Sequence, residues 1–122
     1  MPNINYHIFS PNFMKLLVTG GLGFIGSNFI LKILNERQKN SVVNVDAELF
    51  GSNHQNLESI KNHENYRFVK GNITNRHLME DLISECDAVV NFAAESFVDR
   101  SIADANPFLV SNIRGTFTIL DI

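Results

Sequence analysis

A glycine-rich segment directly follows the first apolar run of the chain. The segment Thr19-Gly-Gly-Leu-Gly-Phe-Ile-Gly-Ser fits two spacings, Gly21-x-Gly23-x-x-Gly26 and Gly20-x-x-Gly23-x-x-Gly26. Such glycines allow a tight turn and let a pyrophosphate approach backbone N–H groups at the start of a helix, where the helix dipole is positive. A glycine turn that only packs a helix against a strand is the alternative. The order strand, glycine turn, helix favours a phosphate-binding loop.

An aspartate ends the second apolar run. Asp46 stands twenty residues after Gly26. A carboxylate at this place can accept hydrogen bonds from both hydroxyls of an adenosine ribose, and it would repel the 2′-phosphate of NADP. Ala47, the next residue, supplies no cation to offset that repulsion. A solvated turn aspartate is the alternative, but the pattern favours binding of NAD over NADP.

A second polar segment follows the fourth predicted strand. It reads Phe92-Ala-Ala-Glu-Ser-Phe-Val-Asp-Arg-Ser101. Parallel sheets bind ligands at the carboxyl ends of their strands, and the small residues Ala93 and Ala94 would let the backbone approach the nicotinamide half of a cofactor. A solvated loop with an internal Asp99–Arg100 contact is the alternative interpretation.

Two further letter patterns do not predict chemistry. Gly21 and Gly26 have the spacing of a P-loop, but Ser27-Asn28 replaces the Lys-Ser/Thr that a P-loop needs. Tyr66 and Lys70 match Tyr-x-x-x-Lys, yet on a strand they are roughly 13 Å apart, too far for the lysine to lower the tyrosine pKa strongly. The histidines show no ligand spacing, so no metal site is expected.

Short apolar runs alternate with helical periods from Met14 onward. Strands are predicted at Lys15–Thr19, Val42–Val45 (ending on Asp46), Tyr66–Lys70 and Ala88–Phe92. Strands that alternate with helices imply a parallel sheet with right-handed crossovers. The predicted fold class is therefore α/β, a Rossmann-like doubly wound parallel sheet, truncated, with strand order 3-2-1-4 and helices on both faces.

Helical periods separate and follow these strands. The buried faces are expected to comprise Ile25, Phe29, Ile30, Ile33 and Leu34 in the first helix, Leu78, Met79, Leu82 and Ile83 in the second, and Phe108, Ile113, Phe117 and Leu120 in the last. Thr74 or Asn75 is predicted to cap the second helix, and Asn106-Pro107 to start the last. A short helix is also expected around Leu57 to Lys61.

Length and composition set the class of protein. The chain has 122 residues, 44% hydrophobic and 19% charged, with a formal net charge of −3, which predicts one globular domain and argues against nucleic-acid binding. One cysteine excludes an internal disulfide, and neither a membrane span nor a signal peptide is evident. We expect a soluble, cytoplasmic protein with a poorly ordered leader at residues 1–13, or a short edge strand at Tyr6 to Phe9. Residues 14–122 would form a nucleotide-binding domain, incomplete at its C-terminus.

Five motifs carry a resemblance to a known family. They are Thr19-Gly-Gly-x-Gly-Phe-Ile-Gly, Val-Asn-Val-Asp46, Asn56-Leu-Glu-Ser59, Ala93-Ala-Glu-Ser-x-Val-Asp-Arg-Ser101 and Asn112-Ile-Arg-Gly-Thr116. In this order they resemble the N-terminal part of extended short-chain dehydrogenases, specifically dTDP-glucose 4,6-dehydratases. The glycine motif is common to the superfamily, whereas Ala-Ala-Glu-Ser with Val-Asp-Arg-Ser indicates the dehydratase branch.

The resemblance implies NAD as the cofactor and an NDP-sugar, dTDP-glucose, as the substrate. The implied NAD contacts, glycine loop included, are Gly20, Gly23, Phe24, Ile25, Gly26, Asp46, Ala47, Glu48, Leu49, Asn72, Ile73, Phe92, Ala93, Ala94, Glu95 and Ser111, and Ser96 would touch the sugar nucleotide. Three positions depart from the family pattern. Asn72 replaces a usual Asp near adenine, Ala47 a common Lys, and Phe97 a common His.

The resemblance also implies a reaction. These enzymes oxidise the sugar at C4 by hydride transfer to NAD, remove water across C5 and C6, and return the hydride to C6. Their Tyr-x-x-x-Lys pair and Thr-Asp-Glu segment would lie after Ile122, so no catalytic residue is expected within this chain, which should be inactive alone. A 4-epimerase or decarboxylase of the same superfamily, or a nonenzymatic nucleotide-binding module, are the alternatives. If this is the whole polypeptide, the unpaired edge of the fourth strand predicts self-association, strand exchange or marginal stability, and we expect a homo-oligomer.

Overall fold

A computed structural model describes residues 13–36 and 39–122 of the chain. The elements are β1 (Lys15–Thr19), α1 (Phe24–Glu36), β2 (Ser41–Asp46), a 3₁₀ helix (His54–Ile60), β3 (Tyr66–Lys70), α2 (Arg76–Ser84), β4 (Ala88–Asn91), α3 (Val98–Ala103), α4 (Asn106–Phe108), a π-helical segment (Leu109–Gly115) and α5 (Thr116–Leu120). Residues 1–12 of the predicted leader, and with them the alternative edge strand, lie outside the described residues.

The four strands form one parallel sheet in the order β3-β2-β1-β4, which confirms the predicted fold class. β1 lies between β2 and β4, so that Leu17 pairs with Val43 on one side and with Val89 on the other. Parallel pairing aligns the carboxyl ends of the strands at one edge of the sheet. The segments that leave the strands are therefore brought together at that edge.

Each face of the sheet carries its own core. Leu16 and Val18 pack with Ile30 of α1 and Leu57 of the 3₁₀ helix. Leu17, between them in sequence, packs on the opposite face in a second cluster with Val43, Val45, Ile73, Met79 and Leu82. Successive strand residues point to opposite faces, which explains why a continuous apolar run supplies both cores. The prediction of helices on both faces is confirmed.

Several helix predictions need correction at the level of single residues. Ile25 is 66% exposed, because it lies in the first turn of α1 beside the glycine loop. The side chain of Asn75 accepts a hydrogen bond from the Leu78 N–H and caps α2, as expected. At the last helix the cap is Ala105, and Asn106 is already helical. No helix was predicted where α3 lies, in the polar segment that leaves β4.

The last helix, from Asn106 to Leu120, packs on a different face from the one predicted. Ile113, Phe117 and Leu120 are exposed, and the buried residues are Ser111, Gly115 and Thr118. A Cβ on Gly115 would lie 2.6 Å from Cγ1 of Ile73, so the helix approaches the sheet along its small residues. Small residues that let the helix lie against the Ile73 side chain, rather than its large apolar residues, are therefore on the buried side of this helix.

Within the described part of the chain, no helix is both long and apolar enough to cross a membrane.

Candidate functional site

A cleft of about 400 Å³ opens at the carboxyl edge of the sheet. It is lined by Gly20, Gly23, Phe24, Ile25, Gly26, Val45, Asp46, Ala47, Leu49, Phe50, Gly51, Ser52, Gly71, Asn72, Ile73, Phe92, Ala93, Ala94, Glu95, Ser96, Phe97 and Ser111. The volume lies within the range of small-molecule and cofactor sites. Every site residue predicted from the sequence lines this cleft, except Glu48.

The glycine loop joins β1 to α1 at the floor of the cleft. Gly20 has a φ of 68°, and a Cβ there would lie 2.6 Å from the Ala93 nitrogen. A Cβ on Gly26 would lie 2.9 Å from the Cα of Gly21, so α1 can approach the loop only without a side chain. Gly20, Gly23 and Gly26 line the cleft, whereas Gly21 does not. The structure therefore selects the second of the two glycine spacings.

Gly21 is needed for a different reason. The buried Asn44 of β2 occupies the space that a side chain at position 21 would take. The Gly21 N–H donates to Asn44 Oδ1 at 3.1 Å, and Asn44 Nδ2 donates to the Tyr66 hydroxyl at 3.0 Å. Burial raises the pKa of Tyr66, so its hydroxyl stays protonated at neutral pH. Tyr66 thus acts as a structural partner of Asn44, which in turn fixes the position of the glycine loop.

Asp46 ends β2 and is buried, unlike the solvated aspartate of the alternative interpretation. Its Oδ2 accepts from the Leu22 N–H at 3.0 Å. Its Oδ1 accepts from the Glu48 N–H and the Ser52 hydroxyl, both at 2.8 Å. A carboxylate offers about four acceptor positions, and these three bonds leave capacity for a ligand hydroxyl. The bonds also fix the orientation of the carboxylate in the cleft wall.

The opposite wall is the segment that leaves β4. The Ala93 N–H donates to Thr19 Oγ1 at 3.3 Å, which holds the segment against the end of β1. Asn112, in the π-helical segment, accepts from the Glu95 N–H at 2.8 Å and donates to the Glu95 carbonyl at 3.0 Å. These bonds hold the backbone of this wall and bring the buried Ser111 into the lining.

Two aromatic rings join the walls at the rim of the cleft. Phe50, after β2, and Phe97, after β4, meet edge to face with ring centroids 4.7 Å apart. The Arg100 guanidinium lies 4.1 Å above the Phe50 ring. Arg100 therefore contributes to this bridge, which we call the Phe50–Phe97 bridge.

Sequence reasoning missed six lining residues. They are Val45, Phe50, Gly51, Ser52, Gly71 and Phe97. Gly51, with a φ of 92°, lets the chain turn beneath the Phe97 ring. Their positions in the sequence could have identified them, because each of the six lies at or just beyond the end of a strand or beside a predicted site residue.

Asn72 and Ile73 form the part of the cleft that follows β3. Asn72 Oδ1 accepts from the Thr74 N–H at 3.0 Å and from the Thr74 hydroxyl at 2.9 Å. The oxygen of this amide is therefore engaged within its own turn.

Among the described residues, no group of three His, Cys, Asp or Glu side chains could hold a metal ion.

Comparison with known proteins identifies a matching family model and several relatives of this chain. A family model described as GDP-mannose 4,6 dehydratase matches residues 17–122. The low-salt glycan biosynthesis protein Agl12 of Haloferax volcanii is 50% identical over 108 residues, which are 88% of this chain and 34% of that protein. The dTDP-glucose 4,6-dehydratase of Mycolicibacterium smegmatis is 46% identical over 108 residues, with 88% and 32% covered.

A solved structure agrees with these relatives. The dTDP-glucose 4,6-dehydratase DesIV from Streptomyces venezuelae, crystallised with NAD bound, matches with a TM-score of 0.84 and 41% identity, over 88% of this chain and 35% of that one. The chain spans about a third of the length of the curated relatives it matches. Because the family model covers most of the sequence, the chain belongs to the GDP-mannose 4,6 dehydratase family.

Proposed function

We propose that this chain is the NAD-binding part of an NDP-sugar 4,6-dehydratase that acts on dTDP-glucose. The observation that carries the proposal is the cleft at the carboxyl edge of the sheet, where a glycine loop and a buried carboxylate meet. The similarity to dTDP-glucose 4,6-dehydratases supports it independently.

The floor of the cleft fits a pyrophosphate. α1 begins at Phe24, so the first amides of the helix have no carbonyl one turn earlier to accept their hydrogen bonds. A Cβ on Gly23 would have one neighbour within 4 Å, the Gly20 carbonyl oxygen at 3.4 Å, so the loop leaves room beside these amides. The helix dipole adds a partial positive charge of roughly half a unit at this point. These groups would hold the pyrophosphate by main-chain hydrogen bonds.

Asp46 fits the adenosine ribose. Its remaining acceptor capacity would receive a ribose hydroxyl, while its charge would repel a 2′-phosphate. Asn72 and Ile73 would border the adenine. The lining residues Phe92, Ala93, Ala94, Glu95 and Ser111 would border the nicotinamide half, and Ser96 would touch the sugar nucleotide.

NAD, when bound, supplies the hydride acceptor for oxidation at C4 and the hydride donor for reduction at C6. This chain's own residues would bind and orient the dinucleotide rather than move protons. Tyr66 and Lys70 lie at opposite ends of β3, and the Tyr66 hydroxyl accepts a hydrogen bond from Asn44. We therefore propose that the base for the oxidation is supplied outside these residues and that this chain does not turn over alone. We also propose a homo-oligomer located in the cytoplasm.

Calorimetric titration of the chain with NAD, with wild type beside Asp46→Ala, tests the cofactor part. Wild type should bind NAD, and Asp46→Ala should weaken binding about tenfold or more, since a charged hydrogen-bond partner is lost. No heat with wild type would contradict the proposal.

A chimera tests the dehydratase part. This chain replaces the matching segment of the Mycolicibacterium smegmatis enzyme, and the product formed from dTDP-glucose is identified. A 4-keto-6-deoxy sugar, lost in the Asp46→Ala chimera, supports the proposal. A folded chimera that binds NAD without forming this product would contradict the dehydratase assignment and leave NAD binding intact.

A further inference from the structure

Glu48 follows Asp46 by two residues but lies outside the lining of the cleft. Its φ of 56° is the only positive φ of a residue other than glycine within residues 13–36 and 39–122. A left-handed backbone is unfavourable for a glutamate. Glu48 therefore keeps this conformation because contacts around it compensate for the strain.

Three groups contact Glu48. Its N–H donates to Asp46 Oδ1 at 2.8 Å. Its carboxylate pairs with the Lys70 ammonium and with His54 Nε2. The hydrogen bonds from Lys70 and from His54 lower the pKa of Glu48, so it is negatively charged at neutral pH.

Lys70 is the cation that the strand register places beside the proposed ribose carboxylate. Asp46 of β2 is in register with Lys70 of β3. Residues paired across a ladder stand roughly 5 Å apart and point to the same face of the sheet. A cation beside the ribose is what a site for a 2′-phosphate requires. In this chain the ammonium is already paired with Glu48.

We infer that Glu48 is a second determinant of cofactor selectivity, which excludes the 2′-phosphate of NADP by occupying Lys70 and by adding a negative charge beside Asp46. Asp46, Glu48 and Lys70 together carry one net negative charge, and without the Glu48 carboxylate they would carry none. The inference rests on the proposed function, because it takes the ribose of a dinucleotide to lie against Asp46.

The test is the ratio of the dissociation constants for NADP and NAD, measured by calorimetry at low ionic strength. Glu48→Gln should lower this ratio about tenfold, since one charge is removed close to a doubly charged phosphate. Glu48→Asn is a second variant, because asparagine tolerates a left-handed backbone and should fold without strain. Adding Lys70→Gln to Glu48→Gln should restore most of the original ratio.

Glu85→Gln is the matched control. Glu85 also pairs with two cations, Lys15 and Arg67, but these contact it at the amino-end side of the sheet, where Lys15 begins β1. Its ratio should equal that of wild type. The inference would be overturned, with NAD binding intact, if both Glu48 variants kept the wild-type ratio of dissociation constants. It would also be overturned if Glu85→Gln lowered the ratio equally, or if the ratio stayed low after Lys70→Gln was added to Glu48→Gln. Wild type that binds no NAD would overturn the proposed function as well.

Discussion

The three loop glycines that line the cleft, Gly20, Gly23 and Gly26, differ in what a side chain would meet at each of them. A Cβ on Gly20 or Gly26 would collide with backbone atoms, at 2.6 Å from the Ala93 nitrogen and 2.9 Å from the Gly21 Cα. A Cβ on Gly23 would make one ordinary contact, at 3.4 Å from the Gly20 oxygen. The fold therefore requires Gly20 and Gly26, whereas it leaves room for a side chain at Gly23.

Substitution by alanine at Gly23 and at Gly26 should separate an effect on NAD affinity from an effect on stability. Gly23→Ala should change Tm by less than about 2 °C, since no backbone contact is violated, yet weaken NAD about tenfold or more. Gly26→Ala should lower the free energy of unfolding by about 2 kcal/mol, because α1 must move away from the loop. Thermal melts and calorimetry measure both effects. Wild-type NAD affinity in Gly23→Ala would contradict a pyrophosphate at this loop.

The sequence was informative at positions where one residue type has few alternative roles. Glycine clusters and an aspartate at a strand end have a meaning set by local chain geometry, and these residues do lie together in the cleft. Asn44 and Ser52 were missed because their roles depend on partners distant in sequence or on the path of a loop. Their hydrogen bonds to Gly21 and Asp46 exist only in the folded chain.

At the scale of elements, strands were easier to predict than helix faces. β1 and β3 have their predicted bounds, and β4 ends one residue early, at Asn91. The last helix was assigned the wrong buried face because its burial follows the small residues Ser111 and Gly115. Periodicity of apolar residues cannot distinguish a helix face that packs on the sheet from one that faces away from it.

One ion-pair network joins elements and makes stability depend on pH. The carboxylate of Glu85, just after α2, bonds Lys15 of β1 at 2.8 Å and Arg67 of β3. The Lys15 hydrogen bond is the main cause that lowers the pKa of Glu85 below its ordinary 4.5. A carboxyl whose pKa is lower in the folded state stabilises the fold above its unfolded pKa, and this contribution disappears as pH falls through the folded value.

We therefore expect the stability difference between wild type and Glu85→Gln to narrow below about pH 4.5. At neutral pH the substitution should lower Tm by about 3 °C, in keeping with a largely exposed pair. Thermal melts between pH 3 and pH 7 measure the effect. Glu36→Gln is the control, because the described cation that pairs with Glu36, Lys32, is 4.0 Å away. A difference that stays constant with pH would contradict the role of Glu85.

At the scale of the whole molecule, two surfaces are open to further contacts, the outer edge of β4 and an apolar side of the last helix. β4 lies at the edge of the sheet, and no strand within residues 13–36 and 39–122 pairs with its outer side. The last helix exposes Leu109, Ile113 and Phe117, the last of them by 62%. Exposed apolar side chains grouped on one helix, and an open strand edge, are features of interaction sites.

We expect the chain to self-associate through these surfaces. Light scattering coupled to size exclusion should show a species larger than a monomer, and Phe117→Glu should shift it toward the monomer. Phe13→Glu, at an exposed phenylalanine outside these surfaces, is the matched control and should have no effect. A wild-type monomer with a cooperative melt would contradict this expectation.

The hydrogen-bonded connection from Tyr66 through Asn44 to Gly21 has a practical consequence. The chain contains no tryptophan and two tyrosines, Tyr6 and Tyr66. In a Tyr6→Phe variant, all ultraviolet fluorescence above that of phenylalanine therefore arises from a phenol bonded to the side chain that holds the glycine loop. That single phenol is thus placed to report on the loop, and we expect its emission to change when the cleft is filled or emptied, with no attached dye.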